Sequence, residues 1–280
     1  MIVDIHDVGH GACAVIQSPN GKRLMIDCGH SNFPVWRPSI QYASCPIEQL
    51  IISNYDEDHV SDLPNLLARV PVRFITRNPS VSSADLMRLK MEYGADAGIR
   101  RLQRLMQSME ASSGTGAGPD LGPLRLSHYW NPYPYFDDEN NLSMVTIIEW
   151  AGFRILFSGD VEKAGWRNLL RLEAFRNELR AIDAFVASHH GRESGCCEEV
   201  FKFCRPQVVV ISDRDRIYET QDTTSWYQTR CSGIFDTTAG EQRYVYTTRC
   251  DGHLRIGAYI DAAGVTRWRV VPHSRLIKAG

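Results

Sequence analysis

Ile51-Ile52-Ser53-Asn54-Tyr55-Asp56-Glu57-Asp58-His59 is an apolar run, begun at Leu50, that stops abruptly in a crowd of polar and ionisable side chains. The run reads as a short buried strand, and Asp62-Leu63-Pro64-Asn65-Leu66-Leu67 after it starts a helix. Carboxylates and an imidazole packed at a strand's end repel one another and desolvate poorly unless a cation neutralises them. Taken alone, the stretch is equally well explained as a solvated acidic loop, with Asp at the positive end of a helix.

Two distant stretches repeat the device. Leu156-Phe157-Ser158-Gly159-Asp160 places an acid directly after an apolar strand, and Phe185-Val186-Ala187-Ser188-His189-His190-Gly191 places a histidine pair there. A lone histidine is more often a core or surface residue than a ligand. Three strand ends that all supply acid or imidazole, and that can converge on one rim of a sandwich, favour a metal centre.

The rest of the chain supplies the layers. Asn20-Gly21 between apolar runs predicts a hairpin, because both central residues of its turn need positive φ. Val72-Arg73-Phe74-Ile75-Thr76 reads as the next strand. Leu86, Leu89 and Tyr93, then Ile99, Leu102, Leu105 and Met109, recur at helical spacing, with Gly94 as the break. This helical insertion covers about 82–112, and a Gly/Ser-rich loop, flexible by composition, follows over about 111–123. In the second half, strands are expected from Leu142 to Trp150 and from Phe153 to Phe157, then a helix over 163–179. A strand at 184–187, a helix at 197–203, a strand at 208–211 and further strands over 244–271 follow. Strands alternating with helices, twice over, predict an α/β fold: a four-layer αββα sandwich forming one domain over 1–280.

Composition excludes several classes. A hydrophobic fraction of 43% suffices for a sizeable core, and a net charge of -2 gives no bulk attraction to nucleic acid. The opening MIVDIHDVGHG lacks the pattern of a signal peptide, and no apolar stretch approaches the length of a membrane span. The eight cysteines include no CxxC pair, so thiols are expected rather than a disulfide framework or a zinc knuckle. The compartment expected from these features is the cytoplasm.

At this point the chain resembles the metallo-β-lactamase superfamily, and within it the hydrolase domain of ComEC-type competence proteins. Asp7-Val8-Gly9-His10-Gly11 and Leu24-Met25-Ile26-Asp27-Cys28-Gly29 are similar to the group's opening strands, usually DVGQG and LIDGG. Ser53-Asn54-Tyr55-Asp56-Glu57-Asp58-His59 falls on the ligand motif, commonly SHxDxDH. Asn140-Asn141-Leu142-Ser143-Met144-Val145 resembles an N-x-N-S-x-V strand, Gly159-Asp160 the bridging aspartate, and His189-His190-Gly191 the HHGS motif. Tyr246-Thr247 through Asp251-Gly252 resemble the closing strand pair. All occur in order over most of the chain.

The resemblance implies that Asp58, His59 and His190 ligate one divalent ion, Zn²⁺ or Mn²⁺, with Asp160 bridging to a second. The second ion would use the position of Asn54, with Asp56 and Asp160. Asn54 stands where the motif usually has histidine, and an amide oxygen is a poor transition-metal ligand, so that site is expected to be weak. Arg192 replaces the usual serine after HHG, and the later histidine-proline is absent near Tyr218-Glu219-Thr220. The implied chemistry is hydrolysis by a metal-activated water. Asp58 helps hold that water's metal, and Asp56 is a candidate to orient the water. His189 is a candidate proton donor, and Arg192 a candidate for charge on a phosphoryl oxygen.

The resemblance favours a nuclease or phosphodiesterase with nucleic acid as substrate and a possible protein partner; the lack of a long apolar stretch predicts no membrane association. Arg100, Arg101 and Arg104 could track a phosphate backbone, and the aromatics between Tyr129 and Phe136 could stack on bases. A solvated helix face and ordinary packing explain both features as well. The competing expectations are a degenerate relative that binds or regulates without turnover, and an enzyme acting on another ester or a lactam.

Overall fold

A strand covered on both faces serves two cores at once, since successive side chains point to opposite sides and the sequence stays apolar throughout. That rule arranges this molecule, whose computed structural model describes residues 1–33, 35–91, 94–111, 118–214, 219–237 and 239–272. The first sheet begins with β1 (Ile2–Ile5), β2 (Ala14–Gln17), β3 (Arg23–Ile26), β4 (Ile47–Ile51) and β5 (Val72–Thr76). The second contains β6 (Arg125–Trp130), β7 (Met144–Trp150), β8 (Phe153–Phe157), β9 (Ala184–Val186), β10 (Val208–Ile211) and β11 (Val245–Thr247). The chain then returns to the first sheet as the hairpin β12 (Leu254–Ile260) and β13 (Thr266–Pro272). The sheet orders are β13-β12-β1-β2-β3-β4-β5 and β11-β10-β9-β8-β7-β6.

Leu24, Ile26 and Ile51 of the first sheet meet Ile148, Phe153, Ile155 and Phe157 of the second in the central core. Their neighbours Met25 and Leu50 face outward, onto α1 (Glu57–Val60), α2 (Leu63–Arg69), α3 (Ser83–Leu89) and α4 (Ala97–Glu110). On the far side, Leu156, Phe185 and Val209 pack against α5 (Lys163–Leu169), α6 (Glu173–Leu179) and α7 (Thr224–Gln228). The result is the αββα order predicted from the sequence. All eight cysteines are free thiols. Among the described residues, no helix is long and apolar enough to cross a membrane.

Three local expectations need correction. The helix expected over 163–179 is two helices. Trp166 and Leu169 lie on one face, but Phe175 is six residues beyond Leu169, off the 3.6-residue repeat, and a break lets both sets bury. The helix expected at 197–203 is a single tight turn, Val200–Lys202, too short a segment to propagate. Strand does not continue through 248–251; α8 (Thr248–Asp251) intervenes, capped by the Thr247 side chain on the backbone N–H of Cys250. Tyr93, Tyr218 and positions 112–117 of the expected flexible loop lie outside the described residues.

Parallel pairing brings the functional strand ends together. β3, β4 and β5 run parallel, as do β8, β9, β10 and β11, so the C-terminal ends within each set share an edge. Sites in α/β sheets form at such edges. The helical insertion is docked onto the edge by Glu57, whose carboxylate accepts the backbone N–H groups of Gly98 and Ile99 at 2.9 and 3.0 Å, at the positive start of α4.

Gly98 makes this docking testable. Alanine for glycine within a helix usually stabilises by about 1 kcal/mol. Here an added Cβ would lie 2.3 Å from the carbonyl oxygen of Val60. Gly98→Ala should therefore destabilise the fold by roughly 1–3 kcal/mol in urea denaturation. Equal or greater stability would refute the close packing of α4 on α1.

Candidate metal centre

Each side chain of the centre is delivered by a strand end whose backbone has no freedom left. After β3, Asp27 adopts φ 57° and its N–H donates to the carbonyl of Ile51 at 2.8 Å. After β4, Ser53 and His59 are tied in turn: the N–H of Met144 donates to Ser53 O, and that of Cys28 to His59 O. After β8, Gly159 takes φ 54° and the N–H of Asp160 donates to Ser143 Oγ at 3.0 Å. After β9, His189 and His190 are both left-handed, at φ 49° and 52°, a conformation that non-glycine residues adopt only when their surroundings enforce it. The N–H of His189 is held by Gly159 O at 3.1 Å.

These ties bring His59, Asp160 and His190 into one buried group, with ligand atoms all within 4.8 Å of one another. His59 Nε2 lies 3.2 Å from Asp160 Oδ1, and His190 Nε2 lies 3.5 Å from Asp160 Oδ2. His10, Asp58 and His190 form a second group on the more open side, where Asp58 Oδ2 is 3.2 Å from His190 Nε2 and 3.4 Å from His10 Nε2. The other ring nitrogens are already used. His59 Nδ1 donates to Asp27 Oδ2 at 2.8 Å, and His190 Nδ1 to the carbonyl of Ser212 at 3.0 Å. Asp27 is fixed in turn by the Ser53 N–H and hydroxyl. A carboxylate behind a ligating histidine sets its tautomer and orientation.

The charges compensate one another against a large burial penalty. Burial alone would raise the carboxyl pKa values of Asp58 and Asp160, yet His190 and His59 hold both far below the usual carboxylate range. Burial would lower His59, but Asp160 and Asp27 hold it well above the ordinary imidazole value; Asp160 and Asp58 raise His190 likewise. His10 goes the other way. Burial and the neighbouring His190 push it down to about 4 despite Asp58, and Arg192 and Arg214 act in the same direction.

The remaining predicted residues are placed differently. Asp56 joins neither group: its Oδ1 is 2.5 Å from Lys90 Nζ, which also meets Glu139 at 2.9 Å. Asn54 is fully buried, its amide donating to Asn140 Oδ1 at 3.3 Å and its oxygen accepting the N–H of Tyr55. His189 Nδ1 faces Ser194 Oγ at 2.9 Å and Glu162 Oε1 at 3.2 Å. Arg192 has a buried Nε without a hydrogen-bond partner. Arg100 and Arg104 are exposed on α4. Of the aromatics, Tyr129 packs on Phe175, Tyr133 and Phe136 lie against the core under the helices, and Trp130 and Tyr135 are exposed. Sequence reasoning missed His10 and Asp27 as parts of the site. Asp27 carried a signal, an acid directly after the apolar run of β3; His10 stands in the opening motif, but only tertiary structure brings it to Asp58.

The donor set fits a divalent cation. His59 Nε2 and His190 Nε2 are buried and approach carboxylate oxygens without forming a hydrogen bond. Metal–ligand bonds of roughly 2.0–2.2 Å put adjacent donor atoms roughly 3.0–3.5 Å apart, and the observed spacings are 3.2–3.5 Å. A cavity of about 40 Å³ borders the group; apart from Asp27, Ser53, His59, Asp160 and His190 its wall is largely apolar, with Ile5, Ile26 and Phe157, so it adds nothing to the fit.

No family model matches the chain. It is 26% identical over 224 residues to Recombination protein 2 of Haemophilus influenzae, covering 75% of this chain and 24% of that protein. It is 23% identical over 231 residues to ComE operon protein 3 of Bacillus subtilis, covering 75% and 28%. The chain thus spans about a quarter of the length of these curated relatives. Among solved structures, a variant of the CmlA β-hydroxylase of Streptomyces venezuelae superposes with a TM-score of 0.51 at 11% identity, over 88% of this chain and 52% of that one. That likeness concerns the fold alone.

Two outcomes test the centre. Raised pKa values leave His59 and His190 carrying protons in the metal-free protein, and ligation requires neutral imidazole. Metal binding should therefore release protons, and apparent affinity should fall as pH is lowered, by up to about tenfold per pH unit for each proton displaced. Calorimetric titration in buffers of different ionisation enthalpy measures this; binding without proton release would contradict it. Asp27→Asn should weaken metal binding by roughly 10–100-fold through loss of His59 orientation, and unchanged affinity would remove Asp27 from the site.

Proposed function

Taking the chain as a protein of the metallo-β-lactamase fold, we propose that it is a metal-dependent hydrolase acting on phosphodiesters, with nucleic acid as the substrate. The observation that carries this reading is the buried His59–Asp160–His190 group, with Arg192, two residues beyond His190, holding a buried Nε. A cation-binding floor with a guanidinium close by in the chain suits a substrate that is anionic at the reacting centre. The names of the relatives, one of them a recombination protein, favour a nucleic-acid backbone over a small phosphate ester.

His59, His190 and Asp160 would hold a divalent ion, together with Asp58; Zn²⁺ and Mn²⁺ both suit imidazole with carboxylate. A bound divalent ion supplies an acidified water at neutral pH and polarises the scissile bond. Asp27 and the Ser212 carbonyl fix the two imidazoles so that Nε2 faces inward. Arg192 receives the negative charge of the phosphoryl oxygens. Arg192 is already desolvated at Nε, so its charge is weakly screened. His189 is held through Nδ1 by Ser194 and Glu162, and burial lowers its pKa, so at neutral pH it offers the leaving group a hydrogen bond rather than a proton. Asp56 acts from a distance, holding the ligand loop to Lys90 at the end of α3.

A second reading, a binding or regulatory module without turnover, is favoured by the placement of Asn54 and Asp56 outside the ligand groups. Cleavage assays separate the two. Single-stranded DNA, double-stranded DNA and cyclic nucleotides are incubated with Mn²⁺, Zn²⁺ or Mg²⁺. The hydrolase reading predicts cleavage of at least one, lost in Asp160→Ala. Metal-loaded protein that cuts none of them supports the module, and full activity in Asp160→Ala contradicts the site. Arg192→Ala should lower kcat/KM on a phosphodiester by about 10²-fold while sparing a neutral ester, which separates phosphoryl from acyl substrates.

A further inference from the structure

Both residues that the sequence motif offers a second ion, besides Asp160, are committed elsewhere: Asn54 to Asn140 and the Tyr55 backbone, Asp56 to Lys90. A third imidazole is nevertheless present on the open side of the centre. His10 Nε2 lies 3.4 Å from Asp58 Oδ2, the same oxygen that lies 3.2 Å from His190 Nε2. The two rings sit 4.7 Å apart at 52°, so two imidazoles converge on one carboxylate oxygen.

The loop that carries His10 is built for this approach. Gly9 and Gly11 have φ of 68° and 133°, and a Cβ on Gly11 would meet the carbonyl oxygen of Asp58 at 2.5 Å. The loop is pinned from both sheets. The N–H of Ala12 donates to Asp58 O at 3.4 Å, and Ser212 Oγ, beyond β10, donates to Gly11 O at 3.1 Å. An exposed ion pair contributes about 0–1 kcal/mol and requires no such precision. Donor spacings of 3.2 and 3.4 Å are those of neighbouring ligands around one cation.

We propose that His10 is a metal ligand of this centre, coordinating through Nε2 beside Asp58 and supplying the imidazole that position 54 lacks. The proposal rests on the metal-centre reading above and not on the substrate. It makes His10, Asp58 and the shared His190 the donors of the open side, in place of Asn54 and Asp56. His59 and Asp160 stay with the inner group, which shares His190 with the open side.

The test is competition of the whole chain with a chromophoric chelator for Zn²⁺ and Mn²⁺, comparing wild type, His10→Leu and His10→Asp, with thermal unfolding of the metal-free proteins as the fold check. His10→Leu should lose at least tenfold in Zn²⁺ affinity or one bound equivalent. His10→Asp, which restores a donor but of harder character, should keep the metal and shift preference from Zn²⁺ toward Mn²⁺. A folded His10→Leu that binds both ions like wild type overturns the proposal. Should that variant fail to fold, an unshifted preference in His10→Asp overturns it. Wild-type protein that binds neither ion overturns the metal centre and this ligand together, whereas metal binding with the predicted shifts but no phosphodiester cleavage upholds His10 and defeats only the hydrolase reading.

Discussion

Asp160 meets His59 through one carboxylate oxygen and His190 through the other, inside a rim where none of the three is bathed by water. Bringing these groups together carries a desolvation penalty that only opposite charge can offset, first from one another and then from a cation. The rest of the structure serves that convergence. Parallel strands in each sheet aim their ends at one edge, and left-handed residues at Asp27, His189 and His190 turn side chains inward where an ordinary loop would lead them away. Removing one charge would leave the others buried and uncompensated, so the site and the fold at this edge are coupled.

The layers were legible because strand burial writes itself into composition. Met25 and Leu50 face the helices while their neighbours Leu24 and Ile51 face the other sheet, and the short apolar runs Leu24–Ile26 and Leu50–Ile52 serve both. Helix boundaries were less legible. Leu169 and Phe175 both belong to the same outer core, but their spacing is resolved only by a break that depends on the sheet beneath. The stretch at 197–203 has apolar residues at helical spacing, yet its length allows no more than a turn.

The ligand group was legible for a related reason. An acid or imidazole soon after a buried strand has nowhere to go but the edge, so the three clusters could be found from position, while the resemblance singled out Asp58, His59, Asp160 and His190 within them. What lies beside that edge was not. His10 sits in a glycine loop far from the other clusters in sequence, and only the approach of that loop to Asp58 gives it meaning. Lys90, at the end of α3, is likewise an ordinary charge until the fold places it against the ligand loop. The identity of Asp56 as an acid was plain; the cation it answers to was not.

The account stands or falls on whether a cation occupies this rim. Anomalous diffraction from crystals soaked in Zn²⁺ or Mn²⁺, recorded at the absorption edge of the metal, locates any bound ion directly. The account predicts a peak at bonding distance from His59 Nε2, His190 Nε2 and a carboxylate oxygen of Asp160. A metal-soaked crystal with no peak there, or with peaks only at surface carboxylates, would contradict it.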